Sequence, residues 1–117
     1  MSDQKRIPAA FWRTTGGAEP VREWLRTLRK QDRLVIGRDV KTVEFGWPVG
    51  MPTCRPMGQG LFEVRSELPQ GRTARLLFCV HENQMILLHG FIKKEQKTSK
   101  ADLELARKRQ RALQVPR

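Results

Sequence analysis

Five side chains of this sequence could handle a phosphate: Arg65, Arg75, His89, Lys93 and Lys94. A guanidinium grips phosphate oxygens through parallel N–H donors, an ammonium adds a compact charge, and an imidazole moves protons near neutral pH. Their spacing is what draws them together, because residues two apart on a strand share a face. In the run 61–68 (LFEVRSEL), Phe62 and Val64 point one way and Glu63, Arg65 and Glu67 the other. In the run 72–80 (RTARLLFCV), Ala74, Leu76, Phe78 and Val80 form the apolar set and leave Thr73, Arg75, Leu77 and Cys79 opposite. Arg65 and Arg75 thus leave one hairpin on the same non-core face. The run 85–92 (MILLHGFI) is apolar on both faces, as a covered strand should be, yet it holds His89 and Gly90 and ends in Lys93-Lys94. A glycine inside a strand leaves room for a close approach. These cations and His89 are expected to converge at one end of a sheet, where they repel one another unless an anion sits among them or Glu63 and Glu67 neutralise them. Each has a purely structural reading as well: His89 as a hydrogen-bonded core residue, and Arg65 as one rung of a surface charge ladder with Glu63 or Glu67. His81 reads as a turn residue.

The elements that must position this cluster are legible as a series. Residues 7–13 (IPAAFWR) are short, apolar and aromatic, which suits a strand joining or packing on a sheet. After Gly16-Gly17, Pro20 sits where a helix starts, since its missing N–H has no partner there anyway. Val21, Trp24, Leu25 and Leu28 then make one apolar stripe, predicting a helix of about three turns. Asp32 is placed to cap a second helix carrying Ile36, Val40 and Val43, which Gly46 and Pro48 end. A helical hairpin results. The stretch 47–60 (WPVGMPTCRPMGQG) has three prolines and three glycines and reads as a loop. It either wraps an edge of the sheet, anchored by Val49, Met51, Cys54 and Met57, or borders a site. Three strands follow as an antiparallel meander, turning at Pro69-Gln70-Gly71 and at Glu82-Asn83-Gln84. Ser99 and Asp102 have the spacing of a capping box, opening a basic helix over about 99–113.

Composition narrows the function. The 117 residues carry 23 Lys and Arg against 12 Asp and Glu, a formal charge of +11. Nucleic acid is therefore the first expected partner and an acidic protein the second. From Lys93 to Arg117 there are nine Lys and Arg against three Asp and Glu, so the end of the chain carries over half of that charge. Lys97, Lys100, Arg107, Lys108 and Arg111 belong to this segment, and all but Lys97 fall near one helix face by spacing. Nucleic-acid contact and simple solvation both account for such a face. The length predicts a single domain over 1–117 with one core. No apolar run approaches a bilayer span and no leader-like segment is visible, so a cytoplasmic location without membrane contact is expected. Cys54 and Cys79 are expected as free buried thiols, and with no Cys/His pair at metal spacing neither a metal nor a cofactor is expected.

In order, two helices, VREWLRTL, FGWPVGMPTCRPMGQG, GLFEVRS, RTARLLFCVH and ILLHGFIKKEQKTSKADLELARKR closely resemble the phage-derived HigB-like toxins of the RelE/ParE superfamily, over roughly residues 10–110. The resemblance implies an α+β fold with a helical hairpin against a twisted antiparallel sheet. It also implies the toxin of a type II toxin-antitoxin pair, often a ribosome-dependent endoribonuclease that cuts mRNA in the 30S A site and inhibits translation. Its implied partner is a HigA-like helix-turn-helix antitoxin, through which operator DNA can be bound. Charge complementarity predicts that the antitoxin covers the basic face with acidic or apolar segments.

Cleavage of RNA by its own 2′-hydroxyl needs a base for that proton, positive donors on the phosphate and a proton for the departing 5′-oxygen. Arg65 and Arg75 can bind the phosphate, Lys93 and Lys94 can add charge or a proton, and His89 is the candidate base, with no metal required. Many RelE-type nucleases use a tyrosine near the last helix, and this chain has none. Base stacking then falls to Phe91, Trp47 or Phe62. ParE-type relatives offer a second class of function, inhibition of DNA gyrase without a nuclease site. A third is a toxin descendant acting only through antitoxin and operator binding.

Overall fold

The computed structural model describes residues 4–94 and 97–113. Five strands and three helices follow one another as β1 (Ala9–Phe11), α1 (Pro20–Arg26), α2 (Lys30–Gly46), β2 (Cys54–Gly58), β3 (Leu61–Leu68), β4 (Arg72–His81), β5 (Gln84–Lys93) and α3 (Lys100–Leu113). The fold is α+β. The strands form one sheet in the order β1-β5-β4-β3-β2. The expected meander is its centre, with β3 antiparallel to β4 and β4 to β5. Glu82 and Asn83 both take positive φ in the tight β4–β5 turn, the twist that joins antiparallel strands without splaying them.

Several expectations need correction. The sheet is mixed, because β1 runs parallel to β5. The buried Glu44 of α2 fixes that entry: its carbonyl accepts the Arg6 and Ile7 N–H groups, and its carboxylate accepts the Ala9 N–H at 2.7 Å. Residues 54–58, expected as loop, form the edge strand β2 against β3. An edge strand needs ladder hydrogen bonds on one side only, so it tolerates Pro56, and a register shift sits between Pro56 and Gly58. The wrap itself exists, with Val49, Cys54 and Met57 packed inward, but Met51 is exposed. The first helix has seven residues, nearer two turns than three, although its apolar stripe packs as expected. Asp32 caps nothing. It lies buried in the first turn of α2, where Arg72 grips it with two hydrogen bonds of 3.0 and 3.2 Å. Val80, assigned to the core set, is exposed near the β4–β5 turn.

Both faces of the sheet are covered. On one, α1 and α2 enclose Val21, Ile36, Val43, Val64, Leu76 and Phe78. On the other, α3 lays Leu103, Ala106 and Leu113 over Leu61, Leu77, Ile86 and Leu88. Cys54 and Cys79 are buried and free, and burial pushes each thiol up to about 11. The close approach anticipated at Gly90 is made by Trp24 of α1: a Cβ added at Gly90 would lie 2.3 Å from the indole ring. Overpacking of this kind costs about 1–3 kcal/mol. Gly90→Ala is accordingly expected to lower the denaturation midpoint by that amount, and the penalty should shrink sharply in a Trp24→Leu background. Equal penalties in the two backgrounds would show that the ring is not what excludes a side chain.

Candidate functional site

A bulge decides which way β5 points its chemistry. Leu77 pairs with His89 and Phe78 with Leu87, so Leu88 has no opposite residue. An extra residue reverses the alternation beyond it. Ile86 and Leu88 face α3 before the shift, and His89, Phe91 and Lys93 face α3 after it. Without the bulge, the histidine and the lysine would point toward α1 and α2.

Three rows therefore cross β3, β4 and β5 under the start of α3: Glu63, Leu77 and His89; Arg65, Arg75 and Phe91; Glu67, Thr73 and Lys93. Four of the five predicted phosphate handlers, Arg65, Arg75, His89 and Lys93, lie in this grid, and Lys94 follows directly after it. The anticipated repulsion is relieved by acids. Arg75 is fully buried and donates from Nη1 to Glu63 Oε1 at 2.8 Å. The other Glu63 oxygen accepts the Thr98 hydroxyl. On the far side, Asp102 Oδ1 lies 2.7 Å from His89 Nε2, and Asp102 Oδ2 lies 3.0 Å from Lys93 Nζ. Ser99 accepts the Asp102 N–H at 3.1 Å, the cap expected from the spacing, and its hydroxyl donates to the same carboxylate.

Asp102 was legible only as half of a capping box. In the structure its carboxylate turns to His89 and Lys93, so one residue both opens α3 and orders the grid. Partial burial pushes this carboxyl up, and the hydrogen bonds from Ser99, His89 and Lys93 with the lysine charge outweigh that push, holding it below the ordinary aspartate range. An ionised carboxylate can only accept, so Nε2 of His89 carries a proton, and in the neutral form of the ring Nδ1 then keeps its lone pair. His89 is 17% exposed and Lys93 25%, enough for each to be reached from solvent.

Arg65 stands apart from these pairs. It forms no ion pair among the described residues, its Nε is buried without a partner, and it lines a groove of about 200 Å³ with Arg38, Asp39, Thr53 and Glu67. Lys94, Lys97 and Lys100 are exposed between the end of β5 and the start of α3. The remaining basic residues of α3 lie farther along. Arg107 donates to the Met57 carbonyl at 2.9 Å and to Gly58 and Gln59, which ties the helix to the β2–β3 turn. It also borders a cleft with Gln59, Gln110 and Arg111, about one and a half turns or more beyond Asp102. Lys108 and Arg111 are exposed. Phe91 is buried between the His89 ring, 5.4 Å away, and the Lys93 ammonium, 5.2 Å from its centroid. Trp47 and Phe62 pack edge to face on the opposite side of the sheet, which removes them from the grid.

Comparison with known proteins follows the same segments. The family described as phage derived protein Gp49-like (DUF891) matches residues 23–111, the span from α1 to the last turns of α3. No curated protein matches the chain. Among the described residues no helix is long and apolar enough to cross a membrane.

Proposed function

The chain belongs to the phage-derived Gp49-like family, which is associated with RelE- and HigB-type toxins, and from that premise we propose that it is a toxin that cleaves mRNA on the ribosome. The supporting observation is the carboxylate, imidazole and ammonium set of Asp102, His89 and Lys93, one row from an arginine without an ion pair among the described residues. In this reading His89 Nδ1 accepts the 2′-hydroxyl proton while Asp102 holds Nε2–H and fixes the ring. Arg65 and Lys93 meet the phosphate as charge builds on it, and the Lys93 ammonium supplies the proton for the departing 5′-oxygen. Arg75, locked onto Glu63 beneath them, acts as a positioning residue. Lys94, Lys97 and Lys100 guide the strand in, and Lys108 and Arg111 hold it farther along α3. An antitoxin neutralises the protein, and a helix-turn-helix partner of the HigA kind fits the basic surface.

Mapping RNA 5′ ends in cells expressing the protein tests this. New ends inside translated regions, phased to the reading frame and absent with Arg65→Ala/Lys93→Ala, are the expected result. Growth arrest with intact RNA, unchanged by that pair, would replace the nuclease by an inhibitor of gyrase or another protein.

A further inference from the structure

β5 has ten residues and β1 only three, so β1 pairs with Met85 to Leu87 and then leaves. Beyond Leu87 the outer edge of β5 has no strand beside it among the described residues. The last backbone link is the Trp12 N–H to the Leu87 carbonyl at 3.0 Å. At the next residue an arginine stands where a strand would be: Arg109 donates from Nη1 to the Leu88 carbonyl at 2.6 Å, with its guanidinium over the Trp12 ring at 5.0 Å. Burial lowers the affinity of this guanidinium for its proton. A cleft of about 230 Å³ opens at the same place, bordered by Val21 and Trp24 of α1, His89 and Gly90 of β5, and Leu105 and Arg109 of α3. Because α1 and α3 lie on opposite faces of the sheet, a cleft that touches both can only lie where the sheet stops.

We infer that this edge is a docking site for an extended segment of a partner protein, which adds as a sixth strand along His89 to Lys93 with acidic and apolar residues in alternation. An unpaired strand edge offers a row of N–H and C=O groups that another strand satisfies. Side chains of the incoming strand alternate between the two walls. Those facing α1 meet Val21 and Trp24 and are apolar. Those facing α3 meet Arg109 and, at the end of β5, Lys93, and are acidic. Such a strand lies directly against His89 and closes it off from substrate. The location thus gives neutralisation a place within the site, and that consequence, though not the docking itself, rests on the nuclease reading above.

The test uses the full chain and three synthetic ten-residue peptides: alternating Val and Glu, the same composition in two blocks, and the alternating sequence N-methylated on every second residue to remove its ladder donors. Hydrogen exchange of individual amides is followed by NMR, beside cleavage of ribosome-bound message. The alternating peptide is expected to slow exchange of outward-facing amides within 88–93 by at least about tenfold, in a salt-dependent way, with both control peptides weaker by a similar factor. Protection elsewhere only, or equal protection by the block or N-methylated peptide, would overturn the docking site. If protection appears in a protein that cuts no message, the docking site stands and the nuclease reading falls. Cleavage that continues at full rate with the edge protected would overturn the claim that the added strand closes off His89.

Discussion

Glu63→Ala is expected to destabilise the protein by about 3–5 kcal/mol, read as a fall in the urea midpoint at unchanged slope. Glu63 and Arg75 have no solvent exposure and meet at 2.8 Å across neighbouring rows of the sheet. Removing one member leaves the other's charge in a site that cannot hydrate it, and this penalty exceeds what the pair gains over an apolar substitute. The double replacement Glu63→Leu/Arg75→Met is therefore expected to recover much of the loss. Thr98→Val removes only the hydroxyl on the second Glu63 oxygen and should cost about 1 kcal/mol. A Glu63→Ala variant within 1 kcal/mol of the parent would mean that the ion pair does not organise this part of the sheet.

That pair also shows what could and could not be read in advance. Strand alternation put Arg65 and Arg75 on one face and named Glu63 as a neutraliser, because a period of two is written directly in residue order. Pairing partners across space are not. Asp32 has the composition and position of a helix cap, and only the arrival of Arg72, forty residues later, turns it into a buried anchor. The bulge at Leu88 is similarly invisible. A stretch apolar on both faces gives alternation no polar marker by which to detect one extra residue, and that residue sends His89 toward α3 instead of α1. Pro56 and the glycines around it argued against a strand at 54–58, correctly for a central strand and wrongly for an edge. The direction of β1 was equally undetermined, since parallel and antiparallel edges bury the same residues. Helix starts carried by spacing, such as Pro20 and Ser99, were readable because their cause is local.

His89→Ala is expected to reduce cleavage of ribosome-bound message by about 10²–10⁴-fold, the range for loss of a general base, with little change in stability. Asp102→Asn should also reduce cleavage, and it should do so through the tautomer. An amide can offer its oxygen or its NH2 to Nε2, so the ring is no longer forced to present a lone pair at Nδ1. Asp102 also carries a pH signature of its own. Asp102 is held below the ordinary aspartate range, so its contribution to stability is fully present above about pH 4, its unfolded value, and is lost only as pH falls through the lower folded value. It stays ionised throughout the neutral range, so the loss in Asp102→Asn is expected to be the same from about pH 6 to pH 8. A loss that grows or disappears across that range would place the effect on another group. A His89→Ala variant that cleaves at the parent rate would move the base to another group of the grid and leave the histidine as the hydrogen-bonded support of α3.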